Sequence, residues 1–592
     1  MLTVEMLRQA LGVKEHVLEE EFRRWESHRD SPWIREQTEK IRAQAQRFLA
    51  TPGPAISYQK FRRYADLGDR VTFENDYFQW RQRLLCFALM CRIDDDLVWL
   101  HALEDVIWQI CSEPTWVLPC HFMDHDWGAL RRDMHATHID LFAGETAFAL
   151  AECLEMVGDR LSPYLVEQVR LELERRVFSS IDNPNRKFLF ESLDNNWSAV
   201  CAGAVGGAAI HCIQDMDRLA RILVRCLSAM QVYLDSFGRD GICVEGPGYW
   251  SYGFGFFVCF ADLLAKKTLG KINLFQEEKV CAVATTQHYY YLSDDVPVRF
   301  SDCGQKSPYR MGLACFLNGQ YPEATIPSAF AAMDAIGDHN ARFCLGIRDM
   351  FWYREEADFG IPREESVWLE DAQWLISRSG GRTLAARGGS NNESHNHNDC
   401  GSFMLLKDGR ICLTDIGAPL YTEEFFGPKR FDFLAASSRG HNVPILAGQT
   451  QRAHADAVTE VLEAEVSREC DRVVMELGRC YPVGTCASFV RELVHDKGVG
   501  EIRVLDRVRF DSPQEVTESF IAELPFEIDE VGGTARVTTD VSELTISFDA
   551  SAFRAETMFE DYIGHREESC RAYLLHLVSR KATEHSYEIV LR

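Results

Sequence analysis

Between Ser394 and His441 the chain gathers side chains that could do chemistry: SHNHNDCGSF, then LLKDGRICLTDIG, then SSRGHN. His395 and His397 are separated by one residue, a spacing that on an extended chain sends both imidazoles to the same face. Asp415 closes the apolar run ICLT, and His441 sits in a polar loop. Two imidazoles and a carboxylate held on neighbouring strands are ligands that a borderline cation such as zinc takes. Singly, each of these residues reads as an ordinary hydrogen-bonding loop residue. Together they predict a metal-binding or catalytic role.

Two earlier stretches are too polar and too rich in glycine for plain helix faces. In DNNWSAVCAGAVGGAAI, Asp194, Asn195, Asn196 and Trp197 precede a run of small residues suited to close helix packing. Polar groups opening a helix serve equally well as a cap. In DGICVEGPGYWSYGFGFF, a turn at Gly238 to Gly241 leads to Glu245, Tyr249 and Tyr252 in a Gly/Pro-broken segment entering a helix. Aromatic rings there are either core or a platform for a sugar, and Tyr249, between Gly248 and Trp250, is the one singled out. Arg299, Arg310, Arg430 and Arg439 lie in loop-like segments, and the arginine fork suits a carboxylate or sulfate. Their neighbours rank Arg439 and Arg299 first, with His339 and Tyr421 as weaker candidates.

The elements that must position these residues divide the chain in two. Up to about residue 360 it reads as helices, with apolar residues at three- and four-residue steps, as at Leu165, Val169 and Leu173. Ser162-Pro163 is a helix-start signal. Short connections between amphipathic helices imply antiparallel pairs packed side by side. From SVWLEDAQWLISRS onward come short runs with turn residues between them, read as antiparallel sheet and assembled as a β-sandwich. Residues 1–360 and 361–592 are thus expected to form two domains that dock and share a cleft.

Composition narrows the partners. With 592 residues, 46% hydrophobic and 26% charged, the chain is globular, and its net charge of −27 argues against nucleic acid or an anionic membrane surface. An anionic substrate must therefore meet a local basic site. The start MLTVEMLRQALGVKEHVLEEEF lacks the basic-then-apolar pattern of an export signal, and no apolar run is long enough to span a membrane. The 20 cysteines are scattered without CxxC pairs, as reduced core thiols would be. The expected location is the cytoplasm, and a homodimer is left open.

Taken in order, NNW, EGPGYWSYG, SHNHNDCGSF, TDIG and RGHN resemble the heparinase II/III-like superfamily of polysaccharide lyases, which includes oligoalginate lyases. LFAGETAFALAE, YLVEQVRLELERRVF and LEDAQWLISRS add to the likeness, which runs from about residue 30 to about 450. The resemblance implies an incomplete (α/α) toroid followed by an antiparallel β-sandwich, and β-elimination at C4 of a uronic acid to leave a 4,5-unsaturated sugar. It implies Tyr249 as general acid, and in many members also as base. Asn196 falls where several members carry a histidine; asparagine can bond a carboxylate but takes no proton near neutral pH. His395 is then the candidate base, with Asn195 a second carboxylate donor and Trp197, Glu245, Tyr252, Arg299 and Arg439 as substrate-binding candidates. His397, Asp415 and His441 match a mainly structural zinc site, although exchange of His395 and His397 is left open.

Three rival readings remain at the level of sequence. A glycoside hydrolase on the same helical scaffold would need two opposed carboxylates, for which Glu245 with Asp194 or Asp302 could be offered. A zinc-dependent hydrolase would need an open metal position. An inactive carbohydrate-binding homologue would account for Asn196. For the lyase, imported anionic oligosaccharides attacked exolytically are the expected substrates.

Overall fold

A computed structural model describes residues 2–12, 16–122, 136–422, 424–565 and 567–592. Its architecture is the expected one, a helical half followed by antiparallel sheets. The last helix of the first half is Phe343–Phe351, and the first strand is Glu365–Leu369. Among the described residues, no helix is long and apolar enough to cross a membrane. All 20 cysteines are free.

The small-residue run explains how the helical half closes around its centre. Helix Asn196–Cys212 is buried along almost its whole length, with glycines where neighbouring helices come closest. A Cβ on Gly203 would stand 2.8 Å from the Phe256 carbonyl oxygen, and one on Gly206 2.5 Å from the Phe260 ring. On another side, Gly144 meets Ala204 and Gly207 meets the Phe148 ring. In both pairs the contact positions advance together along the two chains. Helices Leu141–Val157, Asn196–Cys212 and Gly255–Lys267 therefore run parallel as an inner layer. Met216–Asp235 returns antiparallel on the outside after a short turn, Gly203 also meeting Met230.

Parallel inner helices open at one end of the molecule, and the sequence marks each start. Asp140 caps Leu141–Val157, its carboxylate accepting from the Ala143 amide at 2.7 Å. Asn195 caps Asn196–Cys212 by accepting from the Trp197 amide at 3.1 Å. The third start is Gly246-Pro247: Gly246 has φ +104°, a conformation other residues resist, and Pro247 occupies the first helical position. From Pro247–Tyr249 the chain passes through a wider π turn at Trp250–Phe254 before Gly255–Lys267.

In the second half a five-stranded meander, Glu365–Leu369, Trp374–Ser379, Arg382–Arg387, Phe403–Lys407 and Arg410–Leu413, is buried on both faces. Trp374, Ile376, Ala385, Met404 and Leu406 join the helical core, while Leu375, Leu384, Ala386, Phe403 and Leu405 face the sandwich core. Strands covered on both faces carry near-continuous apolar runs, as WLIS and FMLL do. Eight- and four-stranded antiparallel sheets complete the sandwich. The halves are sewn together by polar contacts as well: Arg378 donates to the Tyr291 carbonyl at 2.8 Å, Thr383 to that of Leu292 at 3.2 Å, and the Ala418 amide to that of Cys303 at 2.8 Å.

Filling one glycine contact tests this packing. Gly203→Val should lower unfolding stability by about 1–3 kcal/mol, the usual cost of overpacking a tight core, as read from chemical denaturation. An unchanged midpoint would mean that the helices are not in the close contact described.

Candidate active site

His395 and His397 do not share one face of a strand. Residues 391–401 are turns between strands Arg382–Arg387 and Phe403–Lys407, not an extended strand. His395 takes φ +57°, a left-handed conformation that a side-chain-bearing residue adopts only when its surroundings hold it there. The two imidazoles consequently point to different neighbours. His395 stacks on Tyr249, ring centroids 4.5 Å apart and planes 27° from parallel, while His397 is fully buried.

What holds both is Asp302, from the loop before helix Met311–Gln320 in the helical half. One carboxylate oxygen is 2.8 Å from His395 Nδ1 and 3.1 Å from Arg430 Nη2, and the other is 3.0 Å from His397 Nε2. The carboxylate is itself buried, which alone would raise its pKa. The histidines and Arg430 outweigh that burial and hold it far below the usual carboxylate range. As an ionised acceptor, Asp302 takes the Nδ1–H of His395 and leaves the Nε2 lone pair to receive a proton. Being gripped by three donors, it is not an open carboxylate of the kind that a hydrolase would need.

Tyr249 faces His395 from the helical half. Its hydroxyl is 3.0 Å from the Tyr421 hydroxyl and 3.5 Å from His395 Nδ1. Burial, reinforced by the Asp302 charge, pushes the Tyr249 pKa well above that of a free phenol, so the resting group carries its proton. Tyr421 is raised for the same first reason, burial, with the neighbouring Tyr249 and Asp302 adding to it. Glu245 lies beneath, 6% exposed; burial raises its pKa against the lowering effect of His395 and a hydrogen bond from Ser394.

The remaining candidates separate. Asn196 is buried in the first turn of its helix, and Asn195 Oδ1 is occupied in capping. Trp197 is partly buried, edge-on to His121 at 4.8 Å. Tyr252 is not open to a ligand: its hydroxyl donates to the Glu145 carboxylate, and the Arg342 guanidinium covers its ring at 3.7 Å. Arg299 is 6% exposed and committed to Glu523 and to Thr414, at 3.0 Å from the latter, so it fastens the two halves. Arg439 points away toward Glu560 at 3.6 Å. The arginine at the centre is Arg430, which ranked below both of these in sequence. It also donates to the Asn396 carbonyl at 3.1 Å and lies 4.1 Å over the Phe425 ring. Tyr421, a weaker candidate, likewise belongs to the centre. The polar run GPKRF was the one local hint for Arg430, and no local pattern marked Asp302 as the common partner.

His397, Asp415 and His441 are each fully buried, and one donor atom from each lies within 4.8 Å of the others. His441 Nδ1 is 2.9 Å from an Asp415 oxygen, and its Nε2 is 2.8 Å from the Ala435 carbonyl oxygen. With Nε2–H donated to that carbonyl, Nδ1 would oppose the carboxylate lone pair to lone pair unless a proton or a cation lies between them. His397 shows the complementary sign: Nε2 is engaged by Asp302, while Nδ1 is buried with no hydrogen-bond partner among the described residues. Histidines fixed through one nitrogen and converging through the other are what a metal ion needs, so the donor set fits one.

Residues 361–568 match the family described as "Heparinase II/III-like, C-terminal". No curated protein sequence matches the chain significantly. Solved structures share its fold over nearly its whole length. Heparinase III superposes with a TM-score of 0.62 at 12% identity, covering 100% of this chain and 93% of that one. Heparan sulfate lyase HepC from Pedobacter heparinus gives 0.59 at 13%, covering 95% and 91%. A mutant of the chondroitin AC lyase of Streptomyces coelicolor A3 gives 0.50 at 9%, covering 98% and 82%.

The central role of Asp302 makes a direct prediction. Asp302→Asn keeps the shape but leaves His395 without the acceptor that fixes its tautomer, so turnover should fall by about 10²-fold or more. Loss of a buried partner should also lower stability by ~3 kcal/mol in chemical denaturation. Wild-type turnover in the folded variant would remove Asp302 from the site.

Proposed function

We propose that this chain, which carries a heparinase II/III-like C-terminal domain on the fold of heparinase III, is a polysaccharide lyase that cleaves uronic-acid-containing oligosaccharides by β-elimination. The observation that carries the reading is Tyr249 stacked on His395 across the interface between the halves, with Asp302 holding the imidazole. A proton donor and a proton acceptor thus stand side by side, each fixed by a different domain.

The roles follow from the protonation states. His395 Nε2 takes the proton from C5 of the uronate. The C5–H electron pair becomes the C4–C5 double bond, and the C4–O bond breaks with its electrons going to the leaving oxygen. Tyr249 donates its proton there, the role its raised pKa suits; as a base it would first have to lose a proton that the surrounding charge retains. Asn196, with Asn195 beside it, is the proposed partner of the sugar carboxylate, whose neutralisation makes C5–H acidic enough to leave. The parallel inner helices add their positive ends to this pole. The proton gained by His395 Nε2 and the one lost by Tyr249 are exchanged through solvent before the next turnover, since Nδ1, the nitrogen 3.5 Å from the phenol oxygen, is engaged with Asp302.

For the buried triad the proposed ion is zinc, which suits two imidazoles and a carboxylate. When bound, it ties the loops carrying His397, Asp415 and His441 together beneath the site. His397 also contacts Asp302, so the same histidine links this anchor to the catalytic pair. The relatives named for heparan sulfate and chondroitin make glycosaminoglycan oligosaccharides the first substrates to assay, with alginate oligosaccharides next. Imported oligosaccharides attacked exolytically in the cytoplasm remain the proposed setting.

Incubation with such oligosaccharides should give a product absorbing in the ultraviolet unsaturated-uronate band, and Tyr249→Phe should lose about 10²–10⁴-fold in rate while staying folded. No such product from heparan, chondroitin, alginate or pectic oligomers would overturn the lyase reading. Metal analysis should find zinc in the wild type and in Tyr249→Phe but not in His441→Ala. Chelation should lower the melting temperature, with activity lost in step with folding; loss of activity from a fully folded apoprotein would assign the metal to chemistry instead.

A further inference from the structure

Tyr421 is too well held for a bystander, and much of what holds it comes from far along the chain. Strands Phe553–Ile563 and Ser569–Ser579 form a hairpin paired residue by residue from Phe553 with Ser579 to Ile563 with Ser569. The first of them is an edge strand of the four-stranded sheet. Eleven residues in extension reach on the order of 35 Å. The tip of this arm ends beside Tyr421. Gly564 bridges Pro419, the Leu420 amide donates to the Ile563 carbonyl at 3.0 Å, and the His565 ring stands edge-on to the Tyr421 ring at 4.5 Å and 78°.

Two more rings complete the setting. Phe425 stacks on Tyr421 at 5.6 Å, and Phe426 meets it edge-on at 4.8 Å. Phe425 is also the ring over which Arg430 lies on its way to Asp302. From the hairpin tip to the reacting phenol the path is continuous: His565 against Tyr421, and the Tyr421 hydroxyl 3.0 Å from that of Tyr249. A phenol bonded to another phenol governs where the second one aims its proton.

We infer that His565, at the tip of this hairpin, is a positioning residue for the lyase reaction: its ring edge fixes Tyr421, and Tyr421 in turn orients the Tyr249 hydroxyl toward the leaving oxygen. The inference rests on the lyase reading above and adds to it an element that touches no reacting atom. His565 Nδ1 also lies 3.4 Å from the Pro419 carbonyl oxygen, but the contact with Tyr421 itself is ring against ring, so another aromatic ring should substitute for the imidazole there.

The test uses the full-length protein on an oligosaccharide that the wild type converts to unsaturated product. His565→Ala should lower kcat about tenfold with KM nearly unchanged, since a small misplacement of the proton donor costs rate more than binding. His565→Phe should restore most of the loss, which recovery of general stability would not do for His565→Gln. A kcat for His565→Ala within twofold of wild type, or failure of Phe to restore it, would overturn the inference while leaving the lyase reading intact. Amide exchange read without substrate is the second measurement: His565→Ala should speed exchange over residues 419–422 several-fold while the central strands stay protected. Unchanged exchange there would overturn the inference even in a chain that turned over none of the oligosaccharides, the outcome that refutes the lyase reading itself.

Discussion

One carboxylate organises the interface of this molecule. Asp302 belongs to the helical half, yet its partners His395, His397 and Arg430 belong to the sheet half. A buried carboxylate with one partner removed is costly, whereas one with three donors is stable and directional. The consequences spread from there. His395 is held in a left-handed conformation and in one tautomer, and its ring is laid against Tyr249. His397 is turned so that its other nitrogen joins Asp415 and His441. His397 is thus shared: one nitrogen bonds Asp302 at 3.0 Å, and the other lies within 4.8 Å of the Asp415 and His441 donor atoms.

The helical half contributes by geometry more than by charge. Its glycine-lined central helix lets neighbours approach along their backbones, and parallel packing brings the starts of three helices to the same pole. The Asn196 and Tyr249 segments are both such starts. Neither residue depends on a long loop for its placement. Rigid elements place them, and the sheet half supplies the imidazole that completes the pair.

How much of this the sequence disclosed depended on the range of the interaction. Helix periodicity and strand alternation act over a few residues, and the order they implied, helices and then antiparallel sheets, is the order observed. Tyr249 and the histidines stood out because their neighbours Gly246, Pro247 and Asn396 are unusual locally. Asp302 did not: its meaning comes from residues more than ninety positions away. The arginines show the same limit in reverse. Arg299 and Arg439 sat beside conspicuous motifs, but Glu523 and Glu560 claim them from distant strands, while Arg430 reaches the centre from a less conspicuous loop. The alternate spacing of His395 and His397 misled because it assumed an extended backbone, and the positive φ of His395 is set by tertiary contacts that no two-residue pattern contains.

The position of Asp302 in the chain also bears on how the protein comes into being. Synthesis delivers the helical half first, complete with Tyr249 and with a carboxylate destined for burial but lacking all three of its donors. Until residues 395, 397 and 430 arrive, that charge is better left in water, which disfavours premature closure of the helical pole. Docking of the second half supplies the counter-groups and lays His395 against Tyr249 in the same event. Pairing the Asp302 charge and bringing His395 to Tyr249 are thereby coupled, because the same segment of the sheet half does both.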